Sequence, residues 1–227
     1  MRLSFRLPLS PKLVRLAFRI FETPVEELVF GKSRIVEYSY AIGKLVSKVP
    51  GRALDAGCTY RFNYLTPTLA QLGWEIVGID IREFKYQHRN FRFVLEDIRH
   101  TSFPDSCFDY AYCISTIEHI GMPEVPYRRR ESDPNGDKNA LDEIRRILKP
   151  SGNLLLTTEY GREESSRFLR VYNAATLNRL LSGWTIKDIR YYAQIENREW
   201  SQVMETEAAQ VIGEPHAIVL CELSPCK

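Results

Sequence analysis

The hydrophobic pattern changes period near residue 52. Before it, the spacing is helical. Placed at 100° per residue, Lys12, Arg15 and Arg19 fall within about 60° of one another. Leu13, Val14, Leu16, Ala17, Phe18, Ile20 and Phe21 cover most of the remaining circumference, so residues 12–21 predict a basic amphipathic helix. Ser10 suits its N-cap and Pro11 its first position. A second short helix opens at Thr23-Pro24 and stops at Gly31, and a third pattern over 33–48 runs up to Pro50-Gly51. From Arg52 onward, short apolar runs alternate with helical patterns. Residues 52–57, 74–80, 91–97, 108–116, 153–161, 184–196 and 214–223 read as strands, and 65–73, 137–152 and 174–183 as helices. Such alternation builds βαβ units, hence an α/β, Rossmann-like fold with a mostly parallel sheet and helices on both faces. The chain divides into an N-terminal helical segment, 1–48, and a Rossmann-like domain, 49–227. Right-handed crossovers place the ligand crevice of such a sheet at the carboxyl ends of its strands.

Acidic residues stand at three of those ends. Asp55-Ala56-Gly57 closes the first strand, Asp80 the second and Asp97 the third. A carboxylate offers two acceptor oxygens in one plane, which suits the two hydroxyls of a ribose. Asp97 is placed to meet the amino group of an adenine, with Ile98 as an apolar wall for the ring. Three acids at three successive strand tips point to an adenosine-containing ligand.

ALDAGC, GID, LEDIRHTSF, FPDSCFDYAYCISTIEHIG and ALDEIRRILKPSGNLLLTTEYG stand in this order between residues 53 and 161. Together they resemble the class I S-adenosylmethionine-dependent methyltransferases, of the methyltransferase-domain type 11 kind. The resemblance implies a seven-stranded sheet whose last strand is antiparallel, and S-adenosylmethionine as cofactor. It implies a cofactor site made of Asp55, Gly57, Cys58, Thr59, Asn63, Asp80, Ile81, Asp97, Ile98 and Ser115. The glycine loop departs from the family's pattern: Gly57 is followed by Cys58-Thr59-Tyr60-Arg61-Phe62-Asn63, without a second glycine. Either Thr59 or Asn63 donates to the cofactor carboxylate, or cofactor binding is weakened or lost. Glycine would have let the backbone approach the ligand closely. In the second case the chain is a non-catalytic methyltransferase-fold protein acting through a partner.

Methyl transfer from a sulfonium needs position more than a protein nucleophile, and a base helps when the acceptor is a hydroxyl. His119 is the candidate base, since imidazole titrates near working pH. Residues 122–136 and 161–173 project from the carboxyl edge and supply Tyr127, Arg128 and Arg170 as candidate acceptor contacts. Glu159 and Tyr160, at the end of the fifth strand, join them. Arginines suit phosphate or carboxylate groups and aromatic rings suit sugar faces.

Charge narrows the acceptor. Residues 1–21 carry five basic side chains and no acid, whereas the remainder carries 26 basic against 29 acidic. A body without a positive field does not collect phosphates, so nucleic acid is not the expected partner. A small molecule, a sugar or a lipid-linked glycan is. Residues 1–21 offer a peripheral contact with the inner face of a membrane, and packing on the domain as core or lid is the competing use. Five scattered cysteines without CxxC spacing read as reduced thiols in a cytoplasmic protein, and no metal site is expected.

Overall fold

The computed structural model of the chain describes residues 33–59, 63–125, 128–129, 132–162, 166–194, 199–213 and 215–226. The helices expected over 12–21 and 24–31 lie outside the described residues.

Strands β1 (Arg52–Ala56), β2 (Glu75–Asp80), β3 (Phe91–Leu95), β4 (Phe108–Ile114) and β7 (Leu148–Tyr160) run parallel. A two-stranded ribbon, β5 (Glu124–Val125) and β6 (Arg128–Arg129), stands apart between β4 and β7. β10 (Ala217–Pro225) is antiparallel to both its neighbours, β7 and β8 (Trp184–Gln194). β9 (Trp200–Val203) pairs antiparallel on the outer edge of β8. The order across the sheet is β3-β2-β1-β4-β7-β10-β8-β9. The sheet thus has eight strands where the resemblance implied seven. The additional one is β9, whose four residues are too few to show a period and become a strand by pairing with the open edge of β8.

Side-chain alternation divides the apolar residues between two faces. On one, Ala53, Ile76, Tyr112, Ile114 and Leu155 meet helices α1 (Arg34–Leu45) and α2 (Leu65–Gln71) through Tyr38, Ala41, Leu45, Leu65 and Leu69. On the other, Leu54, Val77, Ala111, Cys113, Leu154 and Leu156 meet α3 (Gly136–Ile147) and α4 (Ala174–Leu180). α1 therefore shares a core with the sheet. The expected helix over 137–152 ends at Ile147, because Pro150 excludes helical backbone before it. Phe108 pairs with Leu148 and Tyr110 with Asn153, so Pro150 to Gly152 bulge from the ladder. A Cβ on Gly152 would lie 2.9 Å from the Lys149 carbonyl and 3.0 Å from that of Asp109. Strand order reverses between β1 and β4, which opens the crevice at their carboxyl ends.

Candidate active site at the carboxyl ends of the strands

The first strand tip is built around Gly57. It has φ +87°, and a Cβ there would come 2.3 Å from Thr116 Oγ1, so both conformation and space require glycine. Its N–H donates to the Ile79 carbonyl at 2.9 Å and so ties β1 to β2 beside Asp80. Asp55 is buried under this turn, where Asn63 Nδ2 donates to Oδ2 at 3.0 Å and Thr66 Oγ1 donates to the same oxygen. Burial, against these hydrogen bonds and with help from the charge of Asp80, pushes the Asp55 carboxyl up to about 7. The Asn63 amide is fully used: Nδ2 also reaches the Cys58 carbonyl and Thr66 Oγ1, both at 3.1 Å, and Oδ1 accepts from the Thr66 N–H. Asn63 thus braces the glycine turn on α2 and has no donor left for a cofactor carboxylate. The Cys58 side chain points into the interior, fully buried, and burial pushes its thiol upward. Only its backbone belongs to the turn.

Asp80 ends β2 as the sequence implies, whereas β3 stops at Leu95 and Asp97 lies two residues beyond it; each acid is met by an arginine two residues on. Asp80 Oδ1 accepts from the Arg82 N–H at 3.0 Å and from Nε at 3.2 Å. Its Oδ2 accepts from Thr59 Oγ1 at 2.6 Å, the Thr59 N–H at 3.2 Å and Arg82 Nη2 at 3.3 Å. Asp97 is held the same way by Arg99 Nε at 3.0 Å and Nη2 at 2.8 Å, while Arg99 Nη1 reaches Asp133 at 2.7 Å. Ile81 is exposed beside Asp80 and Ile98 is buried beside Asp97. Ile98 belongs to the apolar core of the sheet face that packs on α3 and α4.

A second cluster lies at the ends of β4 and β7. Ser115 has φ +37°, a left-handed backbone for a residue with a side chain. Its N–H donates to the Thr157 carbonyl at 3.1 Å, and its Oγ donates to Glu37 Oε1 at 2.5 Å. Thr157 Oγ1 donates to the same oxygen, and Arg34 Nη1 meets Glu37 Oε2 at 2.6 Å. Burial alone would push the Glu37 carboxyl up. The Arg34 charge and the two hydroxyls outweigh it and hold the carboxyl below its ordinary value. On the other face Glu118 is fully buried, and burial pushes its carboxyl up. Thr158 Oγ1 donates to Glu118 Oε2 at 3.1 Å.

His119, next in the chain, has Nδ1 2.7 Å from the Phe168 carbonyl. A carbonyl only accepts, so Nδ1 carries the proton in the neutral ring and Nε2 keeps its lone pair. Nε2 lies 4.0 Å from Glu118 Oε1.

The candidate acceptor contacts are less united. Glu159 follows Thr157 on the α1 face of β7. Tyr160 points the opposite way: it is fully buried, its hydroxyl donates to Glu205 at 2.9 Å and its ring packs on Tyr191. It does not face the crevice, because alternation turns consecutive strand residues to opposite sides. Arg170 is a clamp rather than a free arm. Its guanidinium binds the Ile120 carbonyl and, at 3.1 Å, that of Asp133, pinning the segment after β4. Arg128 lies in β6, and Tyr127 is outside the described residues. The sequence reading missed Arg34, Glu37, Thr157, Arg82 and Arg99. A signal existed for two of these: Asp-Ile-Arg occurs twice, at 80–82 and 97–99, and in both copies the arginine folds back on its acid.

Among the described residues no group of three His, Cys, Asp or Glu side chains is placed to hold a metal ion, and the five cysteines are unpaired. The residues present fit an S-adenosyl group. Asp80 has the two planar oxygens for a ribose diol, the exposed Ile81 offers a face for a base, and Gly57 keeps the first turn thin.

The family model for a methyltransferase domain matches residues 31–201. An uncharacterized protein of Methanocaldococcus jannaschii is 30% identical over 132 residues, which are 58% of this chain and 48% of that protein. The chain thus spans about half the length of this curated relative. Among solved structures, the Burkholderia thailandensis 1,6-didemethyltoxoflavin-N1-methyltransferase, with 1,6-didemethyltoxoflavin and S-adenosylhomocysteine bound, is 15% identical with a TM-score of 0.56. That match covers 99% of this chain and 94% of that one. The N-methyltransferase NodS of Bradyrhizobium japonicum, with S-adenosylhomocysteine, is 15% identical at TM-score 0.58 and covers 92% of each chain. The [4+2]-cyclase SpnF is 16% identical at TM-score 0.60, covering 83% of this chain and 79% of that one. At these identities the likeness is one of fold.

Proposed function

The chain belongs to the methyltransferase-domain family, and from that premise we propose that it is an S-adenosylmethionine-dependent methyltransferase acting on a small-molecule, sugar or lipid-linked glycan acceptor. The observation that carries this reading is the alignment of Gly57, Asp80 and Asp97 at the tips of three adjacent parallel strands. Asp80 accepts the ribose hydroxyls. Ile81 and Ile98 flank the adenine, and Asp97 lies at its edge. The turn at Gly57, whose own N–H groups are held by the Ile79 carbonyl and Asp80, leaves room for the methionine part because its first residue has no side chain. The cofactor supplies a methyl group activated by a positive sulfur. The chain's task is to hold an acceptor in line with that methyl and keep water out.

His119, its Nδ1 held by the Phe168 carbonyl and its Nε2 4.0 Å from Glu118 Oε1, takes the proton of a hydroxyl or amine acceptor at Nε2. A positive imidazolium 4.0 Å away favours the ionised form of Glu118 against the burial that disfavours it, so the pair shares the transferred proton's charge. Glu37 and Thr157 hold Ser115 in its left-handed turn and thereby fix the end of β4 against the cofactor. Two structural neighbours named for N-methyl transfer, one with 1,6-didemethyltoxoflavin bound, support a small-molecule acceptor.

The test is ligand titration. S-adenosylhomocysteine should raise the melting temperature of the protein, and Asp80→Ala should abolish the shift. Labelled methyl should enter small-molecule extracts and not bulk tRNA or DNA; strong tRNA labelling would overturn the acceptor class. The second reading is a protein of this fold that does not transfer methyl groups. The cyclase among the neighbours favours it, and so does the absence of a second glycine after Gly57. A cofactor shift with no methylated product from any extract would select it.

A further inference from the structure

The Asp80 carboxylate is saturated by its own chain. Five donors converge on two oxygens that offer about four lone-pair positions. Two are backbone N–H groups, from Thr59 and Arg82, and they cannot leave without unwinding the turns that end β1 and β2. The other three belong to side chains. Thr59 Oγ1 leaves by rotation about one bond, and the Arg82 side chain, 40% exposed, can swing into water. A ribose brings two hydroxyl donors. It can take both oxygens of Asp80 only where those side-chain donors withdraw.

We infer that Thr59 and Arg82 set the affinity of this protein for the ribose of its cofactor, by occupying the carboxylate that the ribose must take. The inference rests on the reading of Asp80 as the ribose acceptor. Binding is then an exchange of like for like: the Thr59 hydroxyl and the Arg82 fork withdraw, two ribose hydroxyls enter, and the backbone donors stay. Such an exchange keeps the carboxylate satisfied throughout, and the protein gives up part of its intrinsic binding energy to break its own contacts.

The twin motif supplies the contrast. Arg99 holds Asp97 with the same fork, but its third nitrogen also grips Asp133, and the Asp133 carbonyl is in turn held by Arg170. Arg99 is stapled into the segment after β4 and is 23% exposed, whereas Thr59 Oγ1 leaves by one rotation and the Arg82 side chain is 40% exposed. A threonine at position 59 therefore does more than crowd a turn that lacks a second glycine: its hydroxyl competes for the ribose site.

Isothermal titration of the full chain with S-adenosylhomocysteine tests this. Thr59→Ala and Arg82→Ala should each lower Kd by about 3- to 10-fold, since each removes side-chain donors that the ligand must displace. 5′-Methylthioadenosine should show the same gain and its 2′-deoxy analogue a smaller one. Arg99→Ala should lower the melting temperature of the unliganded protein without tightening binding. Asp80→Asn separates this inference from the reading beneath it. If Asp80→Asn weakens binding while Thr59→Ala and Arg82→Ala leave Kd unchanged or raise it, the inference is overturned and the ribose reading stands. If Asp80→Asn binds as tightly as the wild type, or no variant binds at all, the ribose reading falls and takes the inference with it. Unliganded melting curves for each variant confirm that the compared proteins are folded.

Discussion

Asp55 stands one residue before the end of β1 with its carboxyl out of water, so its proton and the stability of the fold are linked. Its folded value is raised to about 7 from an ordinary 3.8, chiefly by burial. Below pH 4 both the folded and the unfolded chain hold the proton, and the stabilising contribution is complete. Between pH 4 and 7 the unfolded chain releases it and the folded chain does not, so the contribution is lost as pH rises through that window. Asp55→Asn keeps an oxygen for Thr66 and Asn63 and cannot ionise. Urea melts should show wild type losing stability relative to Asp55→Asn from pH 4 to 7, with a gap of roughly 2–4 kcal/mol above pH 7. A constant gap across that range would mean Asp55 does not titrate between the two states. Gly57→Ala offers a second check on the same turn. Its Cβ meets Thr116 at 2.3 Å and its φ is +87°, so a loss of at least about 1–3 kcal/mol is expected in thermal melts.

α1 is tied to the site by one buried acid. Glu37 lies on the same side of the helix as Tyr38, Ala41 and Leu45, fully enclosed, and binds Arg34, Ser115 and Thr157 at once. Removing one partner of such a pair leaves a charge with no solvent, a loss of about 3–5 kcal/mol, whereas replacing both with apolar residues is far milder. Arg34→Ala should therefore destabilise more than the double substitution Arg34→Met with Glu37→Leu, measured by denaturant midpoint. Ser115 should respond as well: with Glu37 gone, nothing draws its hydroxyl toward α1, and the turn after β4 loosens. Hydrogen exchange at the Ser115 amide, now bonded to Thr157, reads that directly.

At the scale of the molecule, the doubly wound sheet gathers residues 57, 80, 97 and 115 at one edge although they are spread over 59 positions of the chain. How that edge meets its acceptor depends on the surroundings, and residues 1–21 carry five basic side chains and no acid. Co-sedimentation with anionic liposomes at low and high salt, comparing the full chain with one that starts at Glu22, separates the two uses of that segment. We expect no salt-sensitive binding and a lower melting temperature for the shortened chain, which assigns the segment to the domain. Salt-sensitive sedimentation that disappears on truncation would assign it to a membrane surface. Among the described residues no helix is long and apolar enough to cross a membrane.

Period and punctuation in the sequence determined the βαβ order and brought the acids to within two residues of the strand tips, because a two-residue repeat and an aspartate after it are local facts of the chain. Gly57, Asp80 and Asp97 were legible for that reason. Partnership was not. Glu37 and Ser115 are 78 positions apart and meet only because α1 packs over β4. Tyr160 and Glu159 are neighbours in sequence, and the strand sends them to opposite faces. Arg170 and Asn63 carry groups suited to ligands, but tertiary packing aims those groups at the protein's own carbonyls and carboxylates. β9 exists because β8 left an edge open. Donor and acceptor types are written in the sequence, but which of them are still unspent at the crevice is decided only when the folded chain has satisfied its own buried polar groups.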